Sequence, residues 1–276
     1  MPGGVLVVDG DGRIVFATGR VEQMTGYTPK ELQGHAIELL VPERLREVHK
    51  RHRQGHYAAG AGPRPMGRPD SDFRLRRKDG SEFSADIALG PVRTPSGMQT
   101  VAVIHDITDR KRLEVALEHR ALHDPLTELA NRTLFLDRLG QSLLSARREG
   151  KKVAVVMLDV DGFKKVNDLH GHAVGDKLLK EVAARLRMGL RATDTAARIG
   201  GDEFAWVLPQ VTGRHTAQLM VRKRLHALDA SFSTDNVRIE VRVSAGIAVY
   251  PDDGRDVDTL MRFADAAMYS DKARRP

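Results

Sequence analysis

Two short β-favouring runs, residues 5–8 (Val-Leu-Val-Val) and 14–17 (Ile-Val-Phe-Ala), bracket the turn-forming quartet Asp9-Gly10-Asp11-Gly12 and predict a β-hairpin. Short helices are expected near 20–25 and 29–33, with Pro29 where a first helical turn tolerates it. Residues 42–59 read as a longer polar helix, and 60–69, rich in Gly and Pro, as a loop. Strands follow at 73–77, 83–89 and 101–107, the first two joined by the turn Lys78-Asp79-Gly80-Ser81. Five strands with helices between the second and third predict a small α+β sheet domain.

Residues 108–123 contain neither Pro nor Gly and set Leu113, Ala116, Leu117 and Ala121 along one face. This predicts an amphipathic helix that either pairs with its twin or packs on its own domain. Beyond it the pattern changes. A helix at 132–148 leads to the continuous apolar run 153–158, typical of a strand buried on both faces. Helices at 163–169 and 174–190, a hairpin at 196–208, a helix at 214–229, strands near 237–250 and a helix at 256–272 complete the chain. The second half is therefore expected to be an α/β unit with a central sheet flanked by helices.

A length of 276 residues accommodates two modest domains, and 41% hydrophobic with 29% charged residues excludes wholesale disorder. The absence of Cys removes disulfides, iron–sulfur clusters, thiolate zinc sites, a Cys nucleophile and any flavin–cysteine adduct. The net charge of +7 is interleaved with acid along both halves, as on a solvated surface rather than a nucleic-acid footprint, and it suits a site for polyanionic nucleotides. No apolar run approaches the roughly 20 residues of a spanning helix and no secretory signal opens the chain, so a soluble cytoplasmic protein is expected.

Candidate chemistry concentrates in two places. Asp159 stands where the buried run ends, followed by Val160-Asp161-Gly162-Phe163-Lys164. Carboxylates at the C-terminal end of a central strand commonly point into a ligand crevice, and leaving Asp159 and Asp161 there is costly without a cation or solvent. The second place is Arg198-Ile199-Gly200-Gly201-Asp202-Glu203-Phe204, between the apolar ends of the predicted hairpin. Its glycines permit a tight tip that presents Asp202 and Glu203 beyond the sheet. If the two strands are neighbours, Asp159 and Asp202 make an oxygen-rich pocket for a hard divalent ion. Two carboxylates and two metals are recurring equipment for in-line attack at phosphorus, although a Gly-Gly-Asp turn alone is also compatible with a plain hairpin.

Two family resemblances complete the reading. The hairpin with its Asp-Gly-x-Ile, Thr25-Gly26-Tyr27 with Glu31-Leu32-Gln33-Gly34, the run Arg77-Lys78-Asp79-Gly80-Ser81, and Asp106-Ile107-Thr108-Asp109-Arg110-Lys111 together resemble a PAS sensor domain over about 3–110. Gly200-Gly201-Asp202-Glu203-Phe204 is the signature of the GGDEF-domain diguanylate cyclases, and the flanking pieces stand in that family's order. These are Asp124-Pro125-Leu126-Thr127 with Asn131-Arg132, then Asp159 to Lys164 with Asn167-Asp168, Gly171-His172 and Gly175-Asp176. Ser244-Ala245-Gly246-Ile247-Ala248, Ala264-Asp265, Met268-Tyr269 and Lys272 follow, so this resemblance covers about 120–272. The implied organisation is a five-stranded antiparallel PAS sheet over 1–107, a signalling helix over 108–123, and a nucleotidyl-cyclase (palm-like) GGDEF domain over 124–276.

The resemblance also implies roles. Asp159 and Asp202 match metal ligands, with the Val160 carbonyl as a further donor, for Mg²⁺ or Mn²⁺, two per active site. Glu203 matches a position that binds metal or helps deprotonate a ribose 3′-OH. Asn167 and Asp176 match the guanine-binding pair, Asp176 favouring GTP over ATP because adenine lacks the donor edge that its carboxylate accepts from. The Phe163 and Lys164 amides lie where the family cradles phosphates at a helix N-terminus, Gly200 and Gly201 at the nucleotide, and Lys272 at the triphosphate. Two copies facing each other as a homodimer would convert two GTP into cyclic di-GMP and two pyrophosphates. Arg191-Ala192-Thr193-Asp194 begins nine residues before Gly200, where the family's product-inhibition site starts. Arg191 and Asp194 are therefore expected to bind cyclic di-GMP, with Arg222 as a secondary contact.

The chain departs from the family pattern at Glu128 and Ala130, where Gly and Pro are usual, and at Pro276, where a phosphate-binding Arg is usual. Arg274 or Arg275 substitutes there, or the chain is trimmed. In the sensor half His49, His52 and His56 recur at helical spacing; a polar solvated helix is the expectation over haem, and the PAS ligand stays unassigned. A nucleotide receptor without catalysis is the alternative function. A transcription factor lacks a DNA-reading motif here.

Overall fold

The computed structural model describes residues 3–58, 64–66, 73–95, 97–228, 231–234 and 237–274. The chain divides into two compact units, Met1–Ala116 and Leu117–Pro276. Among the described residues no helix is long and apolar enough to cross a membrane.

The first unit opens with the expected hairpin, β1 (Gly4–Val8) and β2 (Ile14–Ala17), followed by α1 (Gly19–Thr25) and α2 (Pro29–Leu32). A reciprocal cap starts α2: Thr28 Oγ1 accepts from the Glu31 amide at 3.3 Å, and the Thr28 amide donates to the Glu31 carboxylate at 3.0 Å. Next come α3 (Arg46–Ala58), β3 (Arg64–Met66), β4 (Phe73–Arg76), β5 (Glu82–Thr94) and β6 (Gly97–Asp106). The sheet is antiparallel throughout, in the order β2-β1-β6-β5-β3, with β4 also paired to β5. Thus the five expected strands are joined by a sixth, β3, inside the segment read as a loop. Three residues are too few to show a period, and Pro65 sits where only an edge strand tolerates it. Leu6, Ile14, Leu32, Leu40, Phe83 and Ala85 form the centre of this unit's core.

The connecting helix α4 (Thr108–Leu122) has no buried residue, and Leu113, Val115 and Leu117 are exposed. Its last turn is fastened to the second unit by Asn131. That side chain donates to Ala121 O at 2.7 Å, and its backbone amide donates to Leu122 O at 2.9 Å. The same side chain accepts from the Leu134 amide at 3.1 Å and so caps α5 (Arg132–Glu149).

The second unit continues with β7 (Lys152–Val160), α6 (Phe163–His170), α7 (His172–Arg187), β8 (Thr195–Gly200), β9 (Glu203–Val211) and α8 (Arg214–Leu225). It closes with β10 (Phe232–Thr234), β11 (Val237–Ile239), β12 (Val243–Tyr250) and α9 (Val257–Ala273). The four-stranded antiparallel sheet runs β12-β7-β9-β8, while β10 and β11 form a separate small hairpin that the sequence pattern did not resolve from β12. The apolar run of β7 divides by parity. Ala154, Val156 and Leu158 pack with Leu178, Leu179 and Val182 of α7. Val153, Val155 and Met157 pack with Phe135 and Leu139 of α5 and with Leu260 and Ala264 of α9. A strand covered on both sides needs no polar alternation, which explains the unbroken run.

Candidate active site

Asp159 continues the parity of Val153, Val155 and Met157, so it projects toward the side where α9 lies. Its neighbours across the sheet are Glu203 on β9 and Ser244 on β12. Helix α9 comes unusually close to β12 because of Gly246: a methyl there would stand 2.0 Å from Ala264 O and 2.2 Å from Met268 N. Asp271 reinforces the contact, its carboxylate accepting from the Ala245 amide at 3.1 Å. With the helix set so near the strand, Lys272 Nζ donates to Asp159 Oδ1 at 2.6 Å. The Lys272 side chain keeps 44% of its surface exposed, while that of Asp159 keeps 11%.

The glycine hairpin joins β8 to β9, with Gly201 at φ +50°. Its tip is held by Arg198, to which the sequence reading gave no role beyond its place at the head of the run. Arg198 Nε and Nη2 donate to Gly201 O at 2.9 and 2.7 Å, and Nη1 donates to both carboxylate oxygens of Asp124 at 3.1 and 3.2 Å. Asp124 also accepts from the Thr127 amide and hydroxyl at 2.9 and 2.7 Å. Burial raises the Asp124 carboxyl, but the Thr127 and Arg198 contacts together hold it below its ordinary value. On the far side of the tip the Val160 amide donates to Asp202 O at 3.2 Å, which sets Asp202 beside the end of β7.

The result is an acidic cluster. Burial, then the Asp265, Asp159 and Asp202 carboxylates, hold Glu203 above the usual carboxylate range, and Lys272 only partly offsets them. Lys272 in turn is raised by its hydrogen bond to Asp159 and by Asp161 and Asp202. Asp265 had appeared in the sequence only as part of the family pattern. Among the described residues no three His, Cys, Asp or Glu side chains form a ready metal cage. The oxygens that could hold a metal here are those of Asp159, Asp202 and the Val160 carbonyl, a hard donor set that suits a divalent ion such as Mg²⁺ or Mn²⁺ only if phosphate or water completes it.

Next to this cluster α6 begins. Its first amide bonds are from Lys165 and Val166 to Gly162 O, at 2.9 and 3.3 Å, so the Phe163 and Lys164 amides have no acceptor within the helix. Asn167 faces α7 where Gly175 leaves room: a methyl at Gly175 would stand 2.0 Å from Asn167 Oδ1. That oxygen is buried without a hydrogen-bond partner among the described residues, as expected of a group that completes its bonding with a ligand. Asp176, the next residue of α7, is exposed.

A groove of about 790 Å³ lies on the α5 side of the turn 191–194 and is lined by Arg138, Lys151, Arg187, Arg191 and Asp194. Arg191 is exposed, whereas the Asp194 side chain is 99% buried, at 1% exposure. Asp194 accepts from the Arg191 amide at 3.0 Å and from Arg224 Nη2 at 3.3 Å. Arg224 of α8 thus holds Asp194 from within the fold, while Arg222 of the same helix is exposed.

The turn that holds Glu128 and Ala130 is closed by a backbone bond. Glu128 adopts φ +59°, the left-handed conformation natural to glycine, while the Asp124 amide still donates to Leu129 O at 2.8 Å. Pro276 and Arg275 lie outside the described residues. In the first unit His49 Nδ1 lies 2.9 Å from the buried Glu38 carboxylate, which Arg53 also engages at 3.3 Å. His52 is exposed, and the side chain of His56 lies outside the described residues.

Comparison with known proteins gives the family. The profile described as "Diguanylate cyclase, GGDEF domain" matches residues 121–275, and that of the PAS domain matches 2–109. The chain is 43% identical over 165 residues to the bifunctional diguanylate cyclase/cyclic di-GMP phosphodiesterase MucR of Pseudomonas aeruginosa, covering 60% of this chain and 24% of that protein. It is 31% identical over 270 residues to the "Probable diguanylate cyclase DgcE" of Escherichia coli, covering 97% and 24%. The chain therefore spans about a quarter of the length of these curated relatives. Among solved structures, the coiled coil and GGDEF domain of DgcB from Caulobacter crescentus, in complex with c-di-GMP, is 28% identical at a TM-score of 0.54, covering 60% of this chain and 90% of that one. With a PAS domain ahead of it and the signature at the tip of its β8–β9 hairpin, the chain belongs to the GGDEF family of diguanylate cyclases.

Proposed function

We propose that this chain is a PAS-regulated diguanylate cyclase that condenses two GTP into cyclic di-GMP and two pyrophosphates. The observation that carries the reading is the convergence of Asp159, Asp202 and Glu203 at the end of β7, next to Lys272 and the N-terminus of α6. Each 3′-oxygen forms a bond to the α-phosphorus of the other GTP as the α–β phosphoanhydride bond breaks. Asp159, Asp202 and the Val160 carbonyl would hold the divalent metal, which when bound activates the attacking oxygen and neutralises the departing pyrophosphate. Glu203, across the sheet from Asp159, binds metal or helps take the 3′-OH proton. Asn167 and Asp176 bind guanine, the Phe163 and Lys164 amides take phosphate oxygens, Lys272 takes the triphosphate, and the glycines at 200 and 201 let the nucleotide approach the hairpin.

One such domain is half a site, so the reaction requires a homodimer. The exposed apolar residues Leu113 and Leu117, one turn apart on one face of α4, support pairing of two copies through this helix, where the PAS domain would exert control. The groove beside Arg191 and Asp194 supports feedback inhibition by cyclic di-GMP, with Arg224 holding Asp194 in place. GTP supply places the enzyme in the cytoplasm.

Purified protein incubated with GTP and Mg²⁺ should yield cyclic di-GMP on chromatography, and Asp202→Ala should yield none. GTP or cyclic di-GMP bound without turnover in the wild type would favour the receptor reading. Arg191→Ala should relieve product inhibition; unchanged inhibition would refute that assignment.

A further inference from the structure

Lys272 has been given one task, binding triphosphate, yet the structure gives it another. Its ammonium is 2.6 Å from Oδ1 of Asp159, a carboxylate that the metal reading assigns to the divalent ion. This ion pair does not come from a side chain wandering over the surface. Gly246 lets the α9 backbone rest on β12, Asp271 ties the helix end to the Ala245 amide, and Lys272 follows directly. Asp159, fixed in a paired strand and mostly buried, cannot turn away to solvent, whereas Lys272 has nearly half its surface free to swing outward. A dication and an ammonium on the same carboxylate repel strongly, so each disfavours the other.

We propose that Lys272 is the resident counter-ion of the metal site. It neutralises Asp159 when no metal is bound, is expelled as the divalent ion enters, and only then becomes available to the triphosphate. Metal and nucleotide thereby enter as a coupled pair, and the bare ion alone binds weakly. The inference rests on the reading of Asp159 and Asp202 as metal ligands.

The test uses the full chain and Mn²⁺ without nucleotide, with free Mn²⁺ followed by electron paramagnetic resonance. Lys272→Met and Lys272→Gln should each bind Mn²⁺ on the order of tenfold more tightly than wild type, the loss of one charge-assisted hydrogen bond being the difference. Asp159→Asn should lose the site. A second measurement follows the amine itself. Acylation of Lys272, read by mass spectrometry, should rise several-fold when Mn²⁺ is added to wild type, while Lys152, paired with Asp252 at 2.7 Å, stays constant. Equal Mn²⁺ affinity in wild type and both variants, or labelling of Lys272 indifferent to Mn²⁺, would overturn the proposal and leave the metal reading intact. Absence of Mn²⁺ binding from every protein, even with GTP present, would overturn both.

Discussion

Replacing Asp124 by Asn keeps the shape of the side chain and removes its charge. In the folded protein this carboxylate receives two bonds from Arg198 Nη1 and two from Thr127, with the Asp124 and Arg198 side chains only 18% and 13% exposed. Removing one partner of a fully buried pair costs about 3–5 kcal/mol; residual exposure and the bonds that Asn still accepts from Thr127 bring the expected loss to about 2 kcal/mol. For a chain of this size that corresponds to a fall in melting temperature of roughly 4–8 °C. The pH dependence gives a sharper criterion. The folded-state pKa of Asp124 lies below its unfolded value, so its contribution is fully present above the ordinary aspartate range near about 3.9 and is lost as pH falls through the depressed value. Wild type should therefore exceed Asp124→Asn by a constant margin from pH 7 to pH 5, and the margin should narrow at more acid pH. Calorimetry of the full chain at a series of pH values is the assay. A margin below about 1 °C at pH 7, or one that does not change in acid, would refute the argument. Because Arg198 keeps its two bonds to Gly201 O, cyclase turnover should fall less than stability.

Three other substitutions probe distinct features. Gly246→Ala places a methyl 2.0 Å from the α9 backbone, which cannot yield without moving the helix; destabilisation above about 3 kcal/mol is expected, visible as lost soluble expression or a collapsed melting temperature. Gly175→Ala forces Asn167 out of its place, so the KM for GTP should rise several-fold while the melting temperature changes little. Glu128→Gly relieves a left-handed backbone that costs a side-chain-bearing residue about 1 kcal/mol, and the melting temperature should rise by about 2–4 °C.

The helix and strand pattern of the second unit was readable because burial there is complete: an apolar run such as 153–158 has few alternatives to a central strand. The acidic residues were readable for the opposite reason, since carboxylates next to buried strands require an explanation. What escaped were features set by distance along the chain. Arg198 is one of many arginines, and its importance depends on Asp124, 74 residues earlier, and on a carbonyl at the hairpin tip. The Arg224–Asp194 pair depends on which face α8 turns to the sheet. Strand β3 exists because β5 is long enough to pair with β4 and β3 in succession along one edge, a property of the partner rather than of residues 64–66. The Lys272–Asp159 contact likewise follows from Gly246 and became visible only once β12 and α9 were set side by side.

Asn131 serves two helices with one amide, its NH₂ closing α4 and its carbonyl opening α5. The arrangement behaves as a welded joint rather than a swivel. If α4 slid by one residue along its axis, the donors meeting Ala121 and Leu122 would lose their acceptors together, and the cap on α5 would be pulled out of line. Fraying, the usual way in which a helix end dissipates mechanical load, is closed off at this end. Motion of the α4 end is thus shared with the start of α5 through one residue, and Asn131→Ala would uncouple the two at a single position.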